Sequence, residues 1–218
     1  MEAMYFNPGC ALCLYKPDME QKILPFLKQV YPDISLHKIC CHHEPGLDGD
    51  ACIVNICAGC DKRFGSLYTG VRTISLWEVL DQMNHFPYPD YQGQRMTIHD
   101  PCPVRERPAV HGAIRSLLEK MNIKIVEAAE NRQNALCCGD NFYPDLPLEQ
   151  VHAQMKARAE AMPCEEVVVY CVSCIKSMHI GGKTPRYIVD LLLGEDTYPG
   201  ITDTVAWHEQ LQVYREEH

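Results

Sequence analysis

One order of cysteines occurs twice in this chain, and it constrains the fold more than any other feature. Each half carries a single cysteine, then an adjacent pair, then a Cys-x-x-Cys. The first copy consists of Cys10, Cys40, Cys41, Cys57 and Cys60. The second copy consists of Cys102, Cys137, Cys138, Cys171 and Cys174. A repeat of this kind predicts two related units, each of which gathers five thiols.

The two copies differ in their spacing. In the second copy, 34 residues separate the single cysteine from the pair, and 32 separate the pair from the Cys-x-x-Cys; the corresponding intervals in the first copy are 29 and 15. An interval of 32 residues has room for a helix and a returning strand, whereas one of 15 does not. We therefore expect the first site to be shortened, more exposed and more loosely held.

The number of cysteines favours metal chemistry. The total of 13 is odd, the chain of 218 residues can bury a core without covalent help, and no secretory signal pattern follows Met1, so a disulfide framework explains the count poorly. Adjacent cysteines rarely bond to each other, but two neighbouring thiolates can reach different atoms of one multi-iron cluster. Five thiolates also exceed the four ligands of tetrahedral zinc. We expect an iron–sulfur site, with zinc, disulfides and free core thiols as the alternatives.

Residues outside the repeated order receive simpler interpretations. Three further cysteines are expected in the core: Cys13, Cys52 and Cys164. His99 and Asp100 adjoin Cys102, so they are candidates for relaying protons to a reduced sulfur. The alternative is a turn that the Asp-Pro sequence fixes, without a chemical role.

Charge, hydropathy and missing motifs exclude several classes of function. The net charge of −9 leaves no basic stripe for a phosphate backbone, so we expect no nucleic-acid partner. The longest apolar runs fall short of the roughly 20 residues that cross a bilayer, so we expect no membrane insertion and a cytoplasmic location. The sequence contains neither of the two nucleotide-binding signatures, Gly-x-Gly-x-x-Gly and Gly-x-x-x-x-Gly-Lys-Ser/Thr, and it lacks the cysteine run of bacterial ferredoxins. This predicts that electrons come from another chain.

Apolar segments with strand and helix periodicity alternate along the chain. This pattern predicts an α/β fold with two pseudo-symmetric Rossmann-like lobes built on short parallel sheets. We place the first, shortened lobe at residues 1–84, a linker at 85–94 and the second lobe at 95–218. The repeated cysteines follow predicted strands, so the metal sites are expected at the carboxyl ends of the strands, near the interface of the lobes.

The motifs around these cysteines resemble those of the cysteine-rich CCG domain. That domain occurs in heterodisulfide reductase and in iron–sulfur subunits of lactate, glycolate and glycerol-3-phosphate oxidoreductases. His99-Asp100-Pro101-Cys102 is similar to the family's first-cysteine turn, and Leu136-Cys137-Cys138-Gly139-Asp140 is similar to its namesake motif. Cys171-Val172-Ser173-Cys174 completes the second copy, and Phe6-Asn7-Pro8-Gly9-Cys10 resembles the start of the first copy in tandem members.

The resemblance implies a non-cubane [4Fe–4S] cluster held by the five cysteines of a copy, and one or two such clusters in the chain. In heterodisulfide reductase these clusters reduce a disulfide. The first copy departs from the family because His42 stands where the family has glycine and the interval to Cys57 is about half as long. Its site is therefore open between a cluster, zinc and an empty binding face, and His42 or His43 is a candidate to replace a thiolate.

These observations predict an iron–sulfur oxidoreductase subunit. Its electrons would come from a ferredoxin-like or flavoprotein subunit, and its substrate would be a small thiol, disulfide or other organic molecule. The alternative is a zinc-binding or cluster-binding docking or assembly module of a larger redox complex, without catalysis of its own. A dinuclear zinc hydrolase is a third interpretation, which the lack of carboxylate and histidine ligands at metal spacing disfavours.

Overall fold

Two four-stranded sheets form the frame of the molecule. The computed structural model describes residues 2–47, 50–83 and 85–218. The central strands are apolar and rich in β-branched residues: β3 (Ala51–Asn55) is buried throughout, and β7 (Glu166–Val169) buries its three valines. The other strands are β1 (Ala3–Asn7), β2 (Ser35–Leu36), β4 (Val71–Ser75), β5 (Arg95–His99), β6 (Lys124–Ile125) and β8 (Thr184–Tyr187). Strands that are buried on both faces are typical of parallel sheets covered by helices.

Both sheets have the same topology. The strand order is β2-β1-β3-β4 in the first sheet and β6-β5-β7-β8 in the second, and the strands pair in parallel in both. In the centre of each sheet, Phe6 pairs with Val54 and Ile98 pairs with Val168. The prediction of an α/β fold with two related lobes on short parallel sheets is confirmed.

Helices connect the strands. They are α1 (Cys10–Tyr15), α2 (Met19–Val30), α3 (Ala58–Leu67), α4 (Leu76–Asp81), α5 (Pro108–Lys120), α6 (Leu148–Glu160), α7 (Val172–Ile180), α8 (Ile188–Leu193) and α9 (Thr204–Glu217). Short 3-10 turns occur at Cys102–Val104, Arg132–Asn134 and Asp140–Phe142. Within the described ranges, no helix combines the length and the apolar character that crossing a membrane requires.

The chain folds as two compact units. Unit 1 comprises the described residues of Met1–Phe86 together with His208–His218, and unit 2 comprises Pro87–Trp207. The sequence boundaries assigned all of 95–218 to the second lobe, so the structure differs at the C-terminus. The reason is a set of contacts between distant parts of the chain: the N–H of Cys40 donates to the carbonyl of His218 at 3.1 Å.

The two units differ in the segment that follows the cysteine pair. In unit 2, α6 lies between Cys138 and β7. In unit 1, the described residues between Cys41 and β3 (42–47 and 50) contain no helix, as the shorter interval predicts.

The presence of α6 explains the glycine that follows the second cysteine pair. Gly139 has a φ of 104°, and a Cβ added there would lie 2.8 Å from the main-chain nitrogen of Met155 on α6. A side chain at this position therefore meets backbone that cannot move aside. At the matching position of unit 1, His42 is exposed, and a histidine is tolerated because the described residues that follow it before β3 (43–47 and 50) contain no equivalent of α6.

We predict that Gly139→Ala lowers the free energy of unfolding of the metal-free protein by more than about 1 kcal/mol, because it adds both strain and a collision with α6. Denaturant unfolding followed by circular dichroism measures the change. Gly112→Ala is the matched control: Gly112 is an exposed residue of α5 with no atom within 4 Å of an added Cβ. There alanine should leave stability unchanged or raise it by up to about 1 kcal/mol. Equal stability of the two variants would contradict the packing argument.

Candidate metal centres

Both sets of cysteines lie at the carboxyl ends of the central strands. Cys10 begins α1 just after β1, and Cys57 caps the N-terminus of α3 just after β3. In unit 2, Cys102 begins a 3-10 turn after β5, and Cys171 caps α7 after β7. Each adjacent pair lies in the loop that follows the edge strand, β2 in unit 1 and β6 in unit 2. Because neighbouring parallel strands end on the same edge of a sheet, the thiols of each copy converge.

The five thiols of unit 1 interact with one another in a continuous series. The thiol of Cys10 interacts with that of Cys40, Cys40 with Cys41, Cys41 with Cys60, and Cys60 with Cys57. All five are free thiols. Hydrogen bonds from Cys10 and Cys41 lower the pKa of Cys40 to about 2. The thiol of Cys60 and nearby backbone N–H groups lower the pKa of Cys57 to about 7. Unit 1 therefore holds thiolates among neighbouring thiols, which is the form that binds metal.

The thiols of unit 2 are connected in the same order. Cys102 Sγ lies 4.0 Å from Cys137 Sγ. The thiol of Cys137 interacts with that of Cys138, Cys138 with Cys174, and Cys174 with Cys171. Hydrogen bonds from Cys102 and Cys138 lower the pKa of Cys137 to about 2. The structure thus brings together the five expected cysteines in each unit. That they hold a metal stays a prediction.

The first cluster is not the more exposed of the two, so that expectation was wrong. In unit 1, Cys40, Cys41 and Cys60 are buried, with 4%, 5% and 3% of their surface exposed. In unit 2 only Cys138 and Cys174 of the five are buried. The C-terminal residues of unit 1 account for part of this burial, since their backbone lies against the first pair. The shorter interval therefore removes a helix without opening the site.

A histidine joins the second cluster. Within the described ranges, one group of three side chains brings its ligand atoms to within 4.8 Å of one another, and it consists of His99, Cys138 and Cys174. All three are buried. Burial, and then the charge of Arg158, lower the pKa of His99 to about 3, so its ring is neutral. Imidazole nitrogen and thiolate sulfur both bind transition metals, so this group could hold a metal ion.

Asp100 is held in a network of buried hydrogen bonds. Its carboxylate accepts two from Arg115, at 3.0 and 2.9 Å, one from the hydroxyl of Tyr170 at 2.6 Å, and one from the N–H of Arg132 at 2.7 Å. Burial alone would raise the pKa of Asp100, but these partners outweigh it and the pKa is lowered. The carboxylate is therefore ionised and fully engaged, which favours the turn-fixing alternative. The proton-relay role of His99 and Asp100 stays a prediction.

Sequence reasoning missed three groups beside the second pair. Ser177 Oγ donates to Cys138 Sγ at 3.4 Å, and Lys176 and Asp140 form a buried ion pair. Arg158 on α6 donates from Nε to His99 Nδ1 at 3.3 Å. Ser177 and Lys176 follow Cys174 on α7, so helical spacing could have suggested them. Arg158 carries no such signal, because it comes from a separate helix.

The histidines proposed as replacement ligands in unit 1 are placed differently. His42 is exposed, and Nε2 of His43 lies 2.5 Å from the carbonyl of Arg215. Within the described ranges, neither belongs to a three-residue group with ligand atoms within 4.8 Å of one another. The structure therefore offers no support for a histidine ligand at the first site.

The three cysteines outside the repeated order are not members of either chain of thiols. Cys52 is fully buried in β3, as expected of a core residue. Cys13 and Cys164 are only half-buried, so for them the expectation of a core position was too strong. The hydroxyl of Tyr214 bonds to Cys13, and the N–H of Cys164 donates to Thr97 Oγ1.

We predict that Asp100→Asn lowers the free energy of unfolding of the metal-free protein by about 3 kcal/mol, because it removes the more deeply buried of the two carboxylates, Asp100 and Glu127, that compensate the guanidinium of Arg115. Arg72→Ala is the control, since it breaks the more exposed ion pair with Glu2 and should cost about 1 kcal/mol or less. Denaturant unfolding compares the two variants. Similar small losses would show that the network around Asp100 contributes little.

Comparison with known proteins does not assign these centres. The chain matches no model of a known protein family, and no curated protein is significantly similar to it. The resemblance to the CCG domain therefore depends on the cysteine order and the short motifs around it.

Proposed function

We propose that this protein is an iron–sulfur oxidoreductase subunit, similar to the CCG-containing subunit of heterodisulfide reductase, and that each cluster of five cysteines is the ligand set for a non-cubane [4Fe–4S] cluster. The observation that carries the proposal is the duplicated arrangement of the thiols. Five cysteines in each unit contact one another in one order, at the same edge of sheets with the same strand order. Two segments that differ in length and in surroundings share this sulfur arrangement.

The spread of the sulfurs supports a multi-iron cluster over a single zinc ion. Four thiolates bound tetrahedrally at about 2.3 Å from zinc lie about 3.8 Å from one another. In the part of the chain that the structure describes, no three cysteine sulfurs lie within 4.8 Å of one another. A ligand set that extends beyond one metal atom is what several bridged irons require.

The residues around the thiols suit a negatively charged group. At the second site the N–H of Gly139 donates to Cys137 Sγ at 3.5 Å, and Ser177 donates to Cys138. Hydrogen bonds to thiolates stabilise the charge that they bring to a metal site.

A bound cluster of this type supplies one-electron transfer. Reduction of an organic disulfide needs two electrons and two protons and gives two thiols. The chain carries no nucleotide-binding signature, so in this proposal a ferredoxin-like or flavoprotein partner provides the electrons. The protein then accepts electrons and delivers them to a small disulfide or other organic substrate.

A zinc-binding docking or assembly module is the second candidate function. The observation that favours it is the group of His99, Cys138 and Cys174, because one nitrogen and two sulfur ligands are a common donor set for zinc. Metal analysis of the purified protein separates the two functions. Brown protein with broad absorption above about 400 nm and about four irons per filled site supports the first; colourless protein loaded with zinc supports the second and overturns the first.

We predict that Cys137→Ser or Cys138→Ser removes most of the iron of the second site, because a hydroxyl is a poor ligand for soft, sulfide-bridged iron. Cys164→Ser is the matched control. Cys164 lies in the same unit, outside the chain of thiols, so the Cys164→Ser variant should keep its iron. Iron per chain is measured after anaerobic purification, and equal iron in all three variants would show that the repeat has been misinterpreted.

A further prediction concerns the supply of electrons. The purified chain should be reduced slowly by soluble physiological reductants, and a cognate ferredoxin-like or flavoprotein partner should accelerate the reduction. Visible absorbance under anaerobic stopped-flow conditions follows the rate. Rapid reduction of the single chain by NADH would contradict the prediction, because it requires a nucleotide site that the sequence lacks.

A further inference from the structure

The two units place a buried polar side chain at the same position. Asn7 ends β1 and His99 ends β5, and each precedes the first cysteine of its copy by three residues. Their exposures are 2% and 0%. Among the residues that the structure describes, Asn7 Oδ1 and His99 Nε2 have no hydrogen-bond partner. A buried polar atom without a partner is costly, so its partner is expected to be a group that the site binds.

The contacts of His99 determine which ring nitrogen carries the proton. Arg158 Nε donates to His99 Nδ1, and the carbonyl of Glu130 holds the same guanidinium at 2.8 Å from Nη2. An arginine cannot accept, so Nδ1 presents a lone pair and the hydrogen of the neutral ring is on Nε2. The unpartnered atom of His99 is therefore a hydrogen-bond donor.

This polarity is the reverse of that of a metal-binding histidine. A ligating imidazole donates its second N–H to a carboxylate or carbonyl and gives a lone pair to the metal. In His99 one nitrogen accepts from Arg158 and the other carries a hydrogen, so neither lone pair is free. A ring nitrogen nevertheless lies within 4.8 Å of the sulfurs of Cys138 and Cys174. The structure thus places His99 beside the sulfurs of the second site.

Asn7 has the opposite polarity. Its Nδ2 faces three acceptors: the carbonyls of His37 and Ile39, at 3.0 and 3.2 Å, and His37 Nδ1 at 3.2 Å. These contacts leave Oδ1 as the unpartnered atom, and it is an acceptor. It lies beside the first site, because a Cβ built on Gly9 would be 3.8 Å from Oδ1 and 3.4 Å from Cys60 Sγ.

We propose that His99 donates the Nε2 hydrogen to a sulfur of the group bound at the second site, and that this makes the second site the more easily reduced of the two. An added electron increases the negative charge on the sulfurs, which an N–H donor stabilises. The first site has an acceptor oxygen in the same position and lacks this stabilisation. The inference rests on the proposed iron–sulfur function and deepens it, because it assigns the electron to one site.

The test uses two substitutions at position 99 in a Cys40→Ser background, which leaves only the second site filled. His99→Met removes the donor, and His99→Gln keeps an amide donor and an acceptor for Arg158. Spectroelectrochemical titration with dithionite as the reductant measures the reduction potential, and iron analysis measures the filling. We expect unchanged iron in both variants, a more negative potential in His99→Met, and a potential close to the starting value in His99→Gln.

Labelling histidine with ¹⁵N gives a second measurement that requires no substitution at position 99. In the reduced, paramagnetic protein of the same background, a donor nitrogen should give a weak hyperfine coupling. The strong coupling of a directly bonded nitrogen, or loss of iron from both position-99 variants, would show that His99 is a ligand and overturn the inference. An unchanged reduction potential in iron-loaded His99→Met would also overturn the inference about His99, and it would leave the proposed iron–sulfur function standing. Absence of iron from the unsubstituted protein would instead overturn the proposed function, and the inference with it.

Discussion

The parallel pairing of the two central strands in each sheet determines where the thiols meet. Asn7 pairs with Asn55, and His99 pairs with Val169. Because these partners end their strands side by side, the first cysteine of each copy and the Cys-x-x-Cys leave the sheet as neighbours. The adjacent cysteine pairs follow β2 and β6, which neighbour these central strands, and so they lie at the same end of each sheet. Each five-thiol chain therefore depends on the register of one pair of strands.

Local patterns account for the parts of this arrangement that the sequence could predict. Alternating apolar segments indicated the α/β fold, and the cysteine order indicated which thiols converge. The helix α3 carries no such pattern, because its Cys-Gly-containing sequence lacks an apolar stripe. Contacts between distant segments, such as Cys40 with His218 or His99 with Arg158, leave no local pattern, so the donors around the sites could not be found.

The two units cover their cysteine pairs with different parts of the chain. In unit 2 the loop of the pair lies against α6, and that close approach requires Gly139. In unit 1 the C-terminal residues take part in covering the pair, and an exposed His42 is accommodated. The difference explains how an interval of half the length still gives a site in which three of the five thiols are buried. The burial of a site depends on which segment of the chain packs on it. The number of residues between the cysteine pair and the Cys-x-x-Cys does not determine that burial.

The turns that carry the first cysteines are supported in different ways. In unit 2, Asp100 anchors the turn through buried bonds to Arg115 and Tyr170. In unit 1 the matching residue is Pro8, followed by Gly9 at a φ of 77°, so backbone restriction replaces the charged network. A buried ion pair often stabilises a fold no more than well-packed apolar residues of the same size would. Its contribution in unit 2 is therefore to hold the orientation of the turn that joins His99 to Cys102.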